Sequence, residues 1–140
     1  MRRLAYLVLL ALPVGAPAAP ASVNWTGVWR NASDSVHIRT ARCGKSRSAG
    51  MCGTVVWASD RARADVAARG RTLVGMRLFS GFREGPGGLW QGRVTIPDLG
   101  RELTGTILVK DRDTIVGRGC ALGGLACKTQ RWTRVRPSRR

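Results

Sequence analysis

The sequence has a single histidine and lacks a recognisable set of catalytic side chains. General acid–base catalysis at His37 would need a carboxylate within hydrogen-bonding distance. The acidic residue near it in sequence, Asp34, falls in a predicted turn. If the four cysteines are all oxidised, none is available as a nucleophile. The sequence therefore predicts a protein that is not an enzyme and has no catalytic residues, with His37 on the surface of a strand.

The sequence also lacks an apolar run long enough to span a bilayer, which takes about 20 residues. Its most apolar stretch covers only residues 4–12 (LAYLVLLAL) and lies between two arginines and a series of small residues and prolines. This order is typical of a secretory signal peptide. An uncleaved membrane anchor is the alternative.

The small residues Ala19 and Ala21 fit the signal-peptidase rule. We therefore predict a signal peptide at residues 1–21, cleaved near Ala21/Ser22, with cleavage after Ala18 as the alternative. The product would be periplasmic or secreted and would not span a membrane. It would contain one domain at residues 22–136 and a basic tail at residues 137–140.

Acidic residues are scarce: 8 Asp and Glu face 24 Lys and Arg, which gives a net charge of +16. A basic exported protein can bind anionic lipid, polysaccharide or nucleic acid without sequence specificity. The arginines are spread over nearly every segment, which favours a solvated surface over a dedicated polyanion site. No specific nucleic-acid partner is predicted.

The four cysteines bracket two loops, with the spacings Cys43-x8-Cys52 and Cys120-x6-Cys127. Four cysteines allow three connectivities, and we predict the two local pairs, Cys43–Cys52 and Cys120–Cys127. Neither spacing is the C-x2–4-C knuckle of zinc sites. We therefore predict no metal and no cofactor.

Alternating apolar and polar residues, separated by turn residues, predict an all-β protein. About eight strands are expected, joined mostly by short hairpin turns. Sequential antiparallel strands of even number favour a small up-and-down barrel, and an open sandwich is the alternative. Residues 60–71 are charged and alanine-rich, and they predict either a short surface helix or an ordered loop. Residues 73–82 are predicted to be extended, with a helical start as the alternative.

The tryptophans suggest two roles. In a closed barrel the first and last strands pair, so Trp29, which follows Gly27, could stack against Arg131 or Arg134 and close one end of the barrel. An aromatic ligand wall suits Trp57 and Trp90 better, with Met76 and Phe79 as further lining candidates. A plain core position is the alternative for both tryptophans.

Short segments spread in order over residues 25–135 together resemble the bacterial domain of unknown function 2147 family. They are Gly27-Val28-Trp29, Cys43, and residues 51–57 (MCGTVVW), 71–75 (RTLVG), 90–92 (WQG), 119–120 (GC) and 127–134 (CKTQRWTR). The resemblance implies an exported protein with a lipocalin-like β-barrel, and it implies no reaction.

Two functional hypotheses follow. The first is non-enzymatic binding of a small apolar or amphipathic ligand in the mouth of the barrel, because an eight-stranded barrel can hold one small ligand. The second is an envelope interaction protein that uses its arginine-rich surface on anionic lipid, polysaccharide or nucleic acid. The two differ in salt dependence, since binding to phosphates weakens steeply as salt rises.

Overall fold

The chain folds into a closed barrel of eight antiparallel strands, in which each strand pairs with its neighbours in sequence and β1 pairs with β8. The computed structural model describes residues 22–137. The strands are β1 (Gly27–Asn31), β2 (Val36–Arg42), β3 (Met51–Ala58), β4 (Arg77–Glu84), β5 (Leu89–Ile96), β6 (Arg101–Asp111), β7 (Thr114–Ala121) and β8 (Ala126–Arg134), and one helix, α1 (Asp60–Ala67), lies between β3 and β4. The predicted all-β barrel is confirmed. The predicted signal peptide lies outside the described residues.

The up-and-down order gives the barrel two different ends. The β2–β3, β4–β5 and β6–β7 connections lie at one end, together with the start of β1 and the last residues of β8. This end is called the closed end. The β1–β2, β5–β6 and β7–β8 connections and α1 lie at the other, the open end.

Apolar side chains that alternate along the strands face the barrel interior, as the period-two pattern predicts. Trp29 and Phe82 are fully buried, and Ile38 and Val55 are each 1% exposed. The buried hydroxyl of Thr40 accepts a 2.9 Å hydrogen bond from Nε1 of Trp29 and donates to the carbonyl of Trp25. The polar atoms of this core therefore have partners, as burial demands.

Two glycines make room for the phenylalanine rings of this core. A Cβ atom at Gly53 would overlap the ring of Phe79, and one at Gly92 would overlap the ring of Phe82. The two rings meet edge to face, with centroids 5.2 Å apart. The core is therefore closely packed where these rings lie against the two glycines.

The segment between β3 and β4 forms a short helix, which decides between the two alternatives for residues 60–71. Ser59 caps α1, since its hydroxyl accepts a 3.2 Å hydrogen bond from the main-chain N–H of Ala62. Val66, 3% exposed, packs the helix against the barrel core. No helix among residues 22–137 has the length and hydropathy needed to cross a membrane.

The extended segment predicted at residues 73–82 is only partly extended. Residues 73–76 form a turn, in which the N–H of Met76 donates to the carbonyl of Leu73 at 3.0 Å. Gly75 adopts a φ of 89°, which glycine tolerates far better than other residues. Strand β4 therefore begins at Arg77.

Both predicted disulfides are present. Cys43–Cys52 joins β3 to the segment after β2 at the closed end, and Cys120–Cys127 joins a directly opposed pair of residues on β7 and β8 near the open end. Each end of the barrel therefore has one covalent clip.

Candidate ligand cavity at the open end of the barrel

A cavity of about 490 Å³ occupies the part of the barrel formed by β4 to β8. Its apolar lining includes Phe79 from β4, Val94 from β5, Ile107 from β6, Ile115 from β7 and Trp132 from β8. Residues 97–99 of the β5–β6 connection also line it, so the cavity extends to the open end. The volume lies within the roughly 300–1,000 Å³ typical of ligand sites.

The cavity exists because β7 carries glycines where side chains would fill it. Ile115, Gly117 and Gly119 share the inward face of β7, and all three line the cavity. A Cβ atom at Gly117 or Gly119 would meet no heavy atom within 4 Å. These two glycines therefore leave open space, in contrast to Gly53 and Gly92.

The neighbouring strand β8 adds polar groups to the same wall. Lys128 is paired with Gly119, Gln130 with Gly117 and Trp132 with Ile115. All of these residues line the cavity. Since β8 runs from the open end to the closed end, Lys128 lies nearest the mouth and Trp132 deepest. The wall is therefore polar at the mouth and apolar at its base.

A second cavity of about 260 Å³ lies beneath α1. It is lined by Ala62 and Val66 of the helix, and it shares Leu78, Gln130 and Trp132 with the larger cavity. The two cavities therefore adjoin, and α1 covers one side of the shared space.

Two arginines after α1 fix the neighbouring β5–β6 connection. Nη1 of Arg69 donates to the carbonyl of Asp98 at 2.7 Å, and Nη1 of Arg71 donates to the carbonyl of Pro97 at 3.0 Å. Both acceptor residues line the two cavities. This part of the rim is thereby held in place by charged hydrogen bonds.

The four predicted lining residues lie in different places. Phe79 lines the larger cavity. Trp90 is buried and packs edge-on against Trp25, with ring centroids 5.3 Å apart. Met76 is partly buried against the core in the turn before β4. Neither Trp90 nor Met76 is among the residues that line the two cavities of the described chain.

Trp57 lies on the outer wall and is 44% exposed. A bulge between β2 and β3 breaks the alternation, so that both Val55 and Ala58 are buried and Trp57 points outward. Its ring lies against the His37 ring, with centroids 4.5 Å apart and the two planes at 41° to each other. Trp57 lines neither of the two cavities found in the described residues.

The residues predicted to close the barrel are Gly27, Trp29, Arg131 and Arg134, and three of them meet at the closed end. The guanidinium carbon of Arg134 lies 4.1 Å from the ring centroid of Trp29. A Cβ atom at Gly27 would clash with the same guanidinium, 2.5 Å from its Nη1. Arg131 is instead exposed on the outer face of β8.

Arg134 also donates hydrogen bonds to three main-chain carbonyls. Nη1 reaches Thr26 at 2.7 Å, Nη2 reaches Asn24 at 2.5 Å, and Nε reaches Arg112. Burial lowers the pKa of Arg134 below its ordinary value, and the nearby Asp113 carboxylate raises it in opposition. The side chain thus joins the segment before β1 to the β6–β7 connection.

His37 lies on the outer wall, away from the cavity lining. Its Nε2 is 2.6 Å from Oδ1 of Asp34, and this hydrogen bond lowers the pKa of the Asp34 carboxyl. Within residues 22–137, no three His, Cys, Asp or Glu side chains are grouped so as to hold a metal ion.

The cavity lining includes four residues that are not among the lining residues predicted from the sequence: Gly117, Gly119, Lys128 and Gln130. The sequence contains a pattern that points to them. In an alternating strand, residues 117 and 119 share a face with the apolar Ile115, and residues 128 and 130 share a face with Trp132. A glycine within a strand is ordinarily taken to mark a bend or a close approach of the backbone, and a lysine in an alternating strand is ordinarily assigned to the solvent face.

A search of the curated proteins found no match, and neither did a search of the solved structures. A family model described as "Uncharacterized protein conserved in bacteria (DUF2147)" matches residues 27–134. This match begins at the first residue of β1 and ends at the last residue of β8, so it covers the whole barrel. The chain therefore belongs to the bacterial domain of unknown function 2147 family.

Proposed function

We propose that this protein is exported and binds one small amphipathic ligand in the cavity at the open end of the barrel. The observation that carries the proposal is the cavity of about 490 Å³ beside the inward-facing Gly117 and Gly119. An eight-stranded barrel can fill its interior with its own side chains. Here the interior near Trp29 and Phe82 is filled, while β7 leaves space.

The polarity of the lining suggests how the ligand lies. Ile107, Ile115 and Trp132 supply an apolar base, and Lys128 and Gln130 supply hydrogen-bond donors nearer the mouth. No carboxylate of the described residues lies within ion-pair distance of Lys128. The proposed ligand therefore has an apolar tail toward Trp132 and a polar or anionic head toward Lys128.

Export is part of the proposal. It is supported by the signal-peptide pattern of the sequence and by two disulfides, which persist mainly in oxidising compartments. The proposal assigns no chemical step to the protein. The position of His37 supports this part of the proposal, because the side chain lies on the outer wall and is not among the residues that line the cavity.

Native mass spectrometry of the protein isolated, oxidised and unheated, from the envelope fraction of its host tests the proposal. We expect a discrete additional mass that is lost on denaturation. The variant Gly117→Leu should lose this mass and keep its fold, because a Cβ at this position meets no heavy atom within 4 Å and the rest of the side chain can occupy the cavity.

The matched control is Gly44→Leu, an exposed glycine at the closed end where a Cβ would make only an ordinary 3.6 Å contact with Ala49. It should keep the additional mass. A bare mass for the wild type, or equal retention by both variants, would contradict ligand binding in this cavity.

A further inference from the structure

The three most exposed large apolar side chains of the described residues all lie at the open end. They are Leu125 (89% exposed), Leu122 (77%) and Leu99 (62%), and they are called the leucine patch. Leu122 and Leu125 form the tip of the β7–β8 hairpin, and Leu99 lies in the β5–β6 connection. Strand β6 pairs with both β5 and β7, so these two connections are neighbours.

The backbone conformation of the hairpin tip holds Leu122 and Leu125 in solvent. Leu122 adopts a φ of 53°, a left-handed conformation that glycine or asparagine would occupy with less strain. The following Gly123 and Gly124 also have positive φ, and the Cys120–Cys127 disulfide closes the base of the tip. A solvated turn would gain nothing from leucines at these positions. Clustered exposed apolar residues are typical of interaction surfaces.

Positive charge lies just behind the patch. Arg118 and Lys128 are on the stem of the hairpin, and Arg101 begins the adjacent β6. Residues 22–137 contain 20 Lys and Arg against 8 Asp and Glu. Of the two acidic residues beside the patch, Glu102 is within 3.9 Å of Arg93, and Asp98 lies in the β5–β6 connection. None of the ion pairs of the described residues involves Arg118 or Lys128.

We infer that the leucine patch docks the open end of the barrel on an anionic lipid surface. The leucines enter the apolar boundary of the bilayer, and the exposed Arg101 and Arg118 face the phosphates, which is the arrangement that interfacial anchors use. The charge of the protein selects a lipid surface over an uncharged apolar partner. This inference does not depend on the proposed ligand, although Arg118, Ala126 and Lys128, all behind the tip, also line the cavity.

The test is cosedimentation of the full chain with vesicles of phosphatidylglycerol and phosphatidylcholine, compared with vesicles of phosphatidylcholine alone. The double variant Leu122→Ser/Leu125→Ser should bind the anionic vesicles at least about tenfold more weakly, because it loses most of the apolar burial. The N-terminus is the same in every variant, so a difference in binding between variants reports on the substituted leucines.

The matched control is Leu89→Ser/Leu108→Ser. These two leucines are directly opposed on the outer wall near the closed end and are 37% and 40% exposed. The control should bind vesicles within about twofold of the wild type. Unchanged circular dichroism and thermal midpoints would show that each variant is folded, and the single variant Leu125→Ser replaces any double variant that is not.

Three results would overturn the inference. The first is equal loss of binding in the leucine-patch variant and in the control. The second is equal binding to anionic and to uncharged vesicles. The third is self-association of the wild type without vesicles that the leucine-patch variant abolishes, since the patch would then contact a second copy of the chain.

Discussion

The side chain of Arg134 covers the interior of the barrel at the closed end. Its guanidinium covers Trp29, and its hydrogen bonds reach carbonyls on two separate connections. Gly27 lies beneath it with a φ of 141°, and a Cβ there would displace the guanidinium from this position. The planar, multiply donating guanidinium suits this task, which a lysine ammonium could not perform in the same geometry.

Replacing Arg134 by methionine should destabilise the protein by about 1–3 kcal/mol. The variant loses the cation–π contact and leaves the carbonyls of Asn24, Thr26 and Arg112 without this donor. Urea unfolding gives the free energy. The control, Arg131→Met, changes an exposed arginine on the outer face of the same strand and should shift stability by no more than about 0.5 kcal/mol. Equal effects would show that the position of Arg134 has no special role.

Individual side chains were harder to place from sequence than the strands that carry them. Alternation assigns a residue to one of two faces, but it does not say which part of the interior is filled. Phe79 lines the cavity, whereas the bulge between β2 and β3 turns Trp57 outward. A bulge of this kind leaves no mark in the alternation of a strand as short and apolar as residues 54–57.

At the scale of the elements, glycine has opposite effects in two strands. On β5, Gly92 has no side chain, and the fully buried ring of Phe82 occupies the space where one would lie. On β7, Gly117 faces open space. The same residue type therefore marks a filled part of the barrel in one strand and a hollow part in another.

This difference predicts opposite results for one substitution at two positions. Gly92→Ala should cost about 1–3 kcal/mol, because the methyl group overlaps the ring of Phe82 in a packed core. Gly117→Ala should lie within about 0.5 kcal/mol of the wild type or stabilise slightly, since the methyl group meets no atom and restricts the unfolded chain. Urea unfolding of both variants provides the measurement. A large cost at Gly117 would mean that the β7 wall is already filled.

The strands themselves were predictable because the alternation of apolar and polar residues and the turn residues on either side indicate the same segments. The sequence pattern predicts strands at residues 89–96, 102–109, 114–120 and 128–135. β5 has the predicted bounds, and β6, β7 and β8 differ from them by one or two residues at one or both ends. The choice between helix and loop for residues 60–71 could not be made from sequence. It depends on Val66 reaching the barrel core and on the Ser59 cap, and neither contact is visible before the strands are assembled.

At the scale of the whole molecule, β1 and β8 close the barrel by pairing along only part of β8. β8 makes eight residue pairs with β7 but three with β1, all between Trp132 and Arg134. Among the described residues, the stretch 126–131 has no pairing with β1. Its outer edge therefore presents main-chain groups without a sheet partner, beside the mouth of the cavity.

Hydrogen exchange should reveal this partial closure. Main-chain amides of residues 126–131 that point away from β7 should exchange at least about tenfold faster than the amides of β8 that face β7, because no strand protects them. Exchange measured by NMR on the oxidised protein resolves the individual amides. Equal protection along both edges of β8 would indicate that another segment covers this edge in solution.

The placement of Gly27 and Arg134 has a practical consequence for handling the protein. The polypeptide chain enters and leaves the barrel at the same end, since β1 begins and β8 ends beside the Trp29–Arg134 contact. A tag, linker or solid support attached beyond either strand would therefore hold the molecule by its sealed base. On a sensor chip or a bead, both attachment sites would orient the population uniformly, with the cavity mouth and the β7–β8 tip facing the flowing sample.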